Sequence, residues 1–249
     1  MSVHNFFQRL GILVGVDAVE ALNTTKVLVF GLGGVGGWCA EALVRSGIGA
    51  ITLVDSDTVS PSNINRQIQA SNDTIGLLKT TTLEQRLRGI NPECRIQSFP
   101  HIFSRETISL FNIAEYDYVI DAIDSLTHKL DLIQASLDHG AILFSSMGMA
   151  QKINPQLIRS ADIWETSGCP LARLVRQGLR KRGFLGNFKV VYSPEQIPRR
   201  DLPDDSDTAP TGAWDAGKKV INGTCVTVTA TAGMVLASLV IQDVCKPYG

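Results

Sequence analysis

The run GLGGVG, residues 31–36, lies between a short apolar stretch, KVLVF (26–30), and a helical pattern, WCAEALVR (38–45). Few arrangements accept so many glycines there. A strand must turn sharply into a helix whose first amides stay open to an anion. A second apolar run, AITLVD (50–55), follows, so the unit reads strand, glycine turn, helix, strand, with a right-handed crossover. Asp55 closes the second strand 24 positions after Gly31, where a carboxylate can accept hydrogen bonds from ribose hydroxyls. Gly31, Gly33, Gly34, Gly36 and Asp55 are therefore candidate nucleotide-binding residues. The competing reading is that the glycines merely make the turn, and the motif alone does not separate NAD from ATP.

The alternation continues downstream. The spacing predicts helices over 75–90, 104–111 and 126–140, the last capped by Gly140, and strands over 94–99, 116–124 and 141–146. Such a series calls for an α/β, Rossmann-like, doubly wound and mainly parallel sheet with helices on both faces. Past Gly148 the pattern loosens into a C-terminal elaboration. Residues 149–160 read as a hairpin pair, 168–183 as a basic helix and 190–219 as a long loop, and a helix within 222–245 returns to the sheet. The 249 residues read as one domain, with a nucleotide-binding core at about 24–150 and the elaboration at about 151–249.

Lys and Arg number 23 against 24 Asp and Glu, a balance that excludes a generic basic nucleic-acid coat and an acidic disordered chain. Five cysteines, none in a C-x-x-C pair, argue against a disulfide framework and a thiolate zinc site, and for a reducing, cytoplasmic setting. The N-terminus lacks the basic and long apolar regions of a signal peptide. The apolar stretch 226–244 is interrupted by Thr227, Thr229, Thr231, Ser238, Gln242 and Asp243, which suits a core helix better than a membrane span.

After the second strand come Asp55, Asp57 and the block SNINRQ with Asn63 and Arg66, and then Lys79. A redox domain needs no cations beside the phosphates. Chemistry at an α-phosphate does, because charge builds on its oxygens and on the departing pyrophosphate. Asp124, at the C-terminal end of the fourth strand, lies where ligands bind in open α/β sheets and could hold Mg²⁺ through one carboxylate. The alternative makes Arg66 and Asp124 a structural ion pair.

GLGGVG, DSDTVSPSNINRQI, GLLKT and DAIDS, in this order, resemble the ThiF-like adenylating fold of ubiquitin-activating enzymes and sulfur-carrier adenylyltransferases. GIGAITLVD, INPECR, YDYVIDAIDS and the segment Pro170–Arg173 are most similar to the bacterial tRNA threonylcarbamoyladenosine dehydratase branch. The resemblance implies ATP and Mg²⁺ as cofactors and tRNA carrying threonylcarbamoyladenosine as substrate. It implies that Gly34 lies against the nucleotide and Asp55 holds the ribose. Asn63 and Arg66 would contact phosphates, Lys79 the β/γ end, and Asp124 the magnesium. Arg9, in FFQRLG, matches an arginine that reaches the neighbouring subunit's nucleotide, which implies a homodimer with sites completed in trans. A sulfur-trafficking protein is a further candidate partner.

Cys169 opens a predicted helix, a setting that makes thiols reactive, and in the wider superfamily a cysteine of this region takes the acyl group. The plainer reading is a small buried residue. From Cys169 to Arg200 stand eight cations against one acid, with Arg173, Arg176 and Arg180 on one helical face and Lys181 and Arg182 following. That stripe reads either as a tRNA-docking surface or as a solvated face beside an acidic loop. Two other functions remain open: adenylation of the C-terminus of a ubiquitin-like sulfur carrier, and a NAD-binding oxidoreductase or sensor.

Overall fold

The structure, a computed structural model, describes residues 6–198 and 222–248. Helices α1 (Gln8–Val14) and α2 (Val16–Thr24) lead into strand β1 (Lys26–Phe30). Helix α3 (Gly36–Arg45), β2 (Ala50–Val54), α4 (Lys79–Ile90), β3 (Arg95–Phe99), β4 (Tyr118–Asp121), α5 (Leu126–Asp138) and β5 (Ile142–Ser146) complete the alternating part. Beyond it come β6 (Arg159–Asp162), α6 (Pro170–Lys181), β7 (Lys189–Tyr192) and the long α7 (Val226–Cys245).

The seven strands lie in the order β3-β2-β1-β4-β5-β7-β6. All neighbours run parallel except β6, which is antiparallel to β7. Successive residues of β1 divide between two cores. Val27 and Val29 pack with Leu43, Leu83 and Leu236 on one face, and Leu28 and Phe30 with Phe111, Leu132 and Val190 on the other. Each such side chain contributes about 1.5–3 kcal/mol on full burial, and a sheet covered on both faces needs the near-continuous apolar strands seen in the sequence.

Helix α7 packs across α3. A side chain at Gly233 would meet Val35 O at 2.5 Å and Cys39 N at 2.9 Å, so this glycine sets the depth of that crossing. By length and composition the segment Val226–Tyr248 could cross a membrane, yet Val228, Ala232, Leu236 and Val240 are buried against the fold. The hydroxyls of Thr229, Thr231 and Ser238 bond back to carbonyls of their own turns.

Four local expectations need correcting. The helix expected from residue 75 begins at Lys79, because Gly76 takes φ +87° and Leu78 bridges to Thr58. Residues 104–111 hold only a 3-10 turn at Ile108–Leu110. There the Thr107 hydroxyl takes the Ser104 amide and donates to Ile102 O, competing with helical bonding, and Phe111 sinks beside Phe30 and Phe103. Residues 149–160 form no hairpin, since β6 pairs instead with β7. That strand occupies the start of the expected 190–219 loop, most of which lies outside the described residues.

Candidate functional site

The C-terminal ends of β1, β2 and β4 converge on the glycine turn. Gly31 sits at φ +85°, and a side chain there would stand 2.7 Å from Ala122 O, while one on Gly36 would collide with Gly31 O. Packing therefore dictates both residues. Gly33 differs: a side chain there would meet nothing within 4 Å, so the protein's own packing does not explain the glycine. The space over its backbone is open to a ligand. At Gly34 an added Cβ would touch Thr229 Oγ1 at 3.0 Å and Arg66 Cγ at 3.1 Å, so this glycine lets α7 and Arg66 close on the turn. Helix α3 starts here with no side-chain cap, leaving first-turn amides for an anion.

Asp55 lies just past β2. Its Oδ2 accepts from Leu32 N at 2.6 Å and its Oδ1 from Asp57 N at 2.9 Å. Burial pushes its pKa above the ordinary value of 3.8, against the opposing pull of Lys79 and those two amides. Lys79, the first residue of α4, places Nζ 2.7 Å from Asp57 Oδ2 and 3.9 Å from Asp55 Oδ1. Asp55, Asp57 and Lys79 thus form one cluster beside the turn.

The SNINRQ block is folded by its own polar groups. Asn63 is buried, and its side-chain carbonyl accepts from Ser60 N at 3.1 Å in the 3-10 turn Pro61–Asn63. Arg66 is fixed at both ends: Trp38 Nε1 donates to its carbonyl at 3.0 Å, and its guanidinium donates to Ser62 O and Asn65 Oδ1. Asn65 in turn donates to Thr224 O at 3.1 Å, and Gln69 Nε2 to Leu32 O at 2.6 Å. Trp38, Gln69 and Thr229 support the site without having been singled out in the sequence. The only signal for Gln69 was its place in NRQIQ, and for Thr229 a hydroxyl in an apolar helix.

Asp124 is exposed in the segment between β4 and α5. Among the described residues no group of three or more His, Cys, Asp or Glu could hold a metal alone. One carboxylate suits Mg²⁺, which takes its other ligands from phosphates and water. Arg9 is exposed on α1 and makes no hydrogen bond or ion pair among the described residues.

Cys169 precedes α6 but is enclosed at 4% exposure, with Sγ 4.0 Å from Gly148 O. Lys152, also enclosed, donates to Glu195 O at 2.6 Å, and burial lowers its pKa. The basic stripe on α6 is split. Arg176 turns to the Thr166 hydroxyl, Arg180 lies over Trp164 at 5.2 Å, and Arg182 pairs with Asp131 at 2.8 Å. Arg173 and Lys181 are exposed without partners among the described residues. Arg199 and Arg200 lie outside those residues, as do the acids that follow them.

Comparison with known proteins bears on the family and the fold. A tRNA threonylcarbamoyladenosine dehydratase of Bacillus subtilis is 36% identical over 242 residues, covering 96% of this chain and 94% of the relative. The crystal structure of the Escherichia coli tRNA N6-threonylcarbamoyladenosine dehydratase in complex with ATP has a TM-score of 0.84 at 33% identity, covering 98% of this chain and 95% of that one. The same enzyme in complex with AMP has a TM-score of 0.85 at 32% identity, with the same coverage. The ThiF family matches residues 7–247. This chain belongs to the ThiF family and, within it, to the tRNA threonylcarbamoyladenosine dehydratases.

Proposed function

We propose that this protein uses ATP to dehydrate threonylcarbamoyladenosine in tRNA through a carboxyl-adenylate. The observation that carries this reading is the open glycine cradle at Gly33, set beside the Lys79–Asp57–Asp55 cluster and Arg66. Hydride transfer to or from NAD would use the glycines and Asp55 but leave those cations without a task.

A carboxylate oxygen of the threonyl group attacks the α-phosphorus, the bond to the β-phosphate oxygen breaks, and pyrophosphate leaves. A nucleophilic atom of the same substituent then attacks the activated carbonyl, and AMP departs as the ring closes. The net change is loss of one water, driven by ATP conversion to AMP and pyrophosphate. Ring closure within one substituent is effectively unimolecular, which supplies several kcal/mol of the barrier and requires no enzyme nucleophile. Main-chain amides at Gly33 and Gly34 receive phosphate oxygens, Asp55 the ribose, and Asn63, Arg66 and Lys79 the growing negative charge. Bound Mg²⁺ would be held by Asp124 and would neutralise phosphate charge.

Arg173, Arg180 and Lys181 supply the phosphate contacts that dock tRNA, with Arg176 and Arg182 shaping the helix behind them. A homodimer brings Arg9 to the neighbouring subunit's nucleotide. Support comes from the exposed apolar residues Ile12 and Leu13, at 81% and 79%, on the same short helix. A cytoplasmic setting and a docked sulfur-trafficking protein complete the reading.

The test is ATP–pyrophosphate exchange with and without modified tRNA, followed by mass spectrometry of the nucleosides. Exchange together with loss of one water from threonylcarbamoyladenosine is expected. An unchanged nucleoside would sink the proposal, and exchange stimulated by a small protein ending in Gly-Gly would favour the sulfur-carrier reading.

A further inference from the structure

Lys129 is wholly buried, at the C-terminal ends of β4 and β5. Its ammonium has three acceptors: Asp121 Oδ2 at 2.6 Å, Ser146 O at 3.0 Å and Ser145 Oγ at 3.2 Å. Asp121 is equally buried, and its Oδ2 also accepts from Ser145 Oγ at 2.6 Å. A buried ion pair is a poor stabiliser, because desolvation offsets most of the attraction and apolar residues of like volume usually do as well. What apolar residues cannot reproduce is orientation.

With Oδ2 fixed, Asp121 Oδ1 accepts from Ile123 N at 3.1 Å and pins the chain where it leaves β4. Two close approaches follow in that segment. Ala122 O stands 2.7 Å from where a Gly31 side chain would begin. Ala122 Cβ stands 3.2 Å from the same point on Gly36. The glycine turn therefore packs against a segment held by one carboxylate oxygen.

We propose that Asp121 is a positioning residue for the nucleotide site: its Oδ1 holds the Ala122–Ile123 backbone against the glycine turn, and Lys129 is the countercharge that lets the carboxylate stay buried there. The proposal rests on the adenylating reading for what the site binds. Neither residue touches the nucleotide; both act through the backbone of Ala122 and Ile123. Lys129→Ala alone strands a buried carboxylate and reports on folding, so two double variants separate the roles. D121N/K129M removes the charges but keeps an Oδ1 acceptor for the Ile123 amide. D121L/K129M removes the charges and the acceptor together.

The measurement is ATP affinity of the full chain by calorimetry, with and without Mg²⁺, alongside the denaturant midpoint. D121N/K129M is expected to bind ATP within about threefold of wild type. D121L/K129M, at a matched midpoint, is expected to lose roughly tenfold or more, since small displacements of positioned groups are costly. Wild-type affinity in D121L/K129M, or equal losses in the two variants, overturns the proposal. Should D121L/K129M not fold, hydrogen exchange at the Ile123 amide decides. In D121N/K129M, protection and ATP affinity that are retained together or lost together support the role of Asp121, and either one changing without the other overturns it. A wild-type chain that binds no ATP defeats the adenylating reading instead, a result distinct from any difference between variants.

Discussion

Lys79 Nζ lies 2.7 Å from Asp57 Oδ2, a bond that ties the first residue of α4 to the loop leaving β2. With Asp55 only 3.9 Å from the same ammonium, one cation serves two carboxylates in a largely buried corner. Lys79→Met leaves both acids without it. The expected cost is about 3 kcal/mol of stability, because the stranded carboxylates lose their compensation. Pyrophosphate exchange should fall by about 10²–10³, the scale for one lost charge-stabilising donor. Denaturant unfolding and exchange kinetics check the two figures separately.

Adjacent glycines should behave differently. Gly33→Ala faces open space, so stability should stay within about 0.5 kcal/mol while ATP affinity drops. Gly34→Ala pushes into Thr229 and Arg66 and should cost roughly 1–3 kcal/mol, part of it relieved by adding Thr229→Ala. Equal effects on ATP affinity and stability at Gly33 would remove the ligand cradle.

The five thiols should separate by reactivity. Cys225, half-buried at the start of α7, is held below the ordinary thiol value of 9.0 first by its contact with Thr227 Oγ1 and then by helix-start amides. Cys39, Cys94 and Cys169 are buried, and burial pushes the Cys245 thiol up. The thiolate is the reactive form, so a lowered value moves alkylation to lower pH. Peptide mass spectrometry should find Cys225 labelled first by iodoacetamide, with a rate midpoint below 9.0.

The basic helix offers a graded test against tRNA. Arg173→Ala with Lys181→Ala removes two exposed cations that have no partner among the described residues, so the salt dependence of tRNA binding should flatten by about two counterions with little loss of stability. Arg176→Ala should instead lower stability, since that side chain bonds the Thr166 hydroxyl. Filter binding across a salt series reads the first effect, thermal unfolding the second.

The alternating half of the chain was readable because its signals are local. KVLVF and AITLV are short apolar runs closed by turn residues, and the motif spacing carried Gly31, Asp55 and Lys79 to one end of the sheet. Strand β6 was not readable: RSAD is a polar edge whose pairing is set by β7, nearly thirty residues on. KVVY itself was hidden by the Pro- and Asp-rich sequence after it. Lys129 is hidden in the sequence for a related reason. A lysine in an amphipathic helix reads as solvent-facing, and nothing local reveals a carboxylate waiting on a strand eight residues earlier. Cys169 stands at a helix start, which is a local signal, whereas its burial is set by Gly148 and Leu171 packed around it.

The seating of α7 on α3 ties the nucleotide turn to the order in which the chain is made. A ribosome completes the glycine turn roughly two hundred residues before it reaches Gly233, and domains tend to gather structure as they emerge. Until α7 has left the exit tunnel, Trp38 and Cys39 lack the Gly233 backbone against them, and Gly34 lacks Thr229. A nascent chain stalled short of that helix carries every glycine of the motif with one side of the cradle missing. Competence for nucleotide is thereby acquired only once α7 has been made and seated on α3.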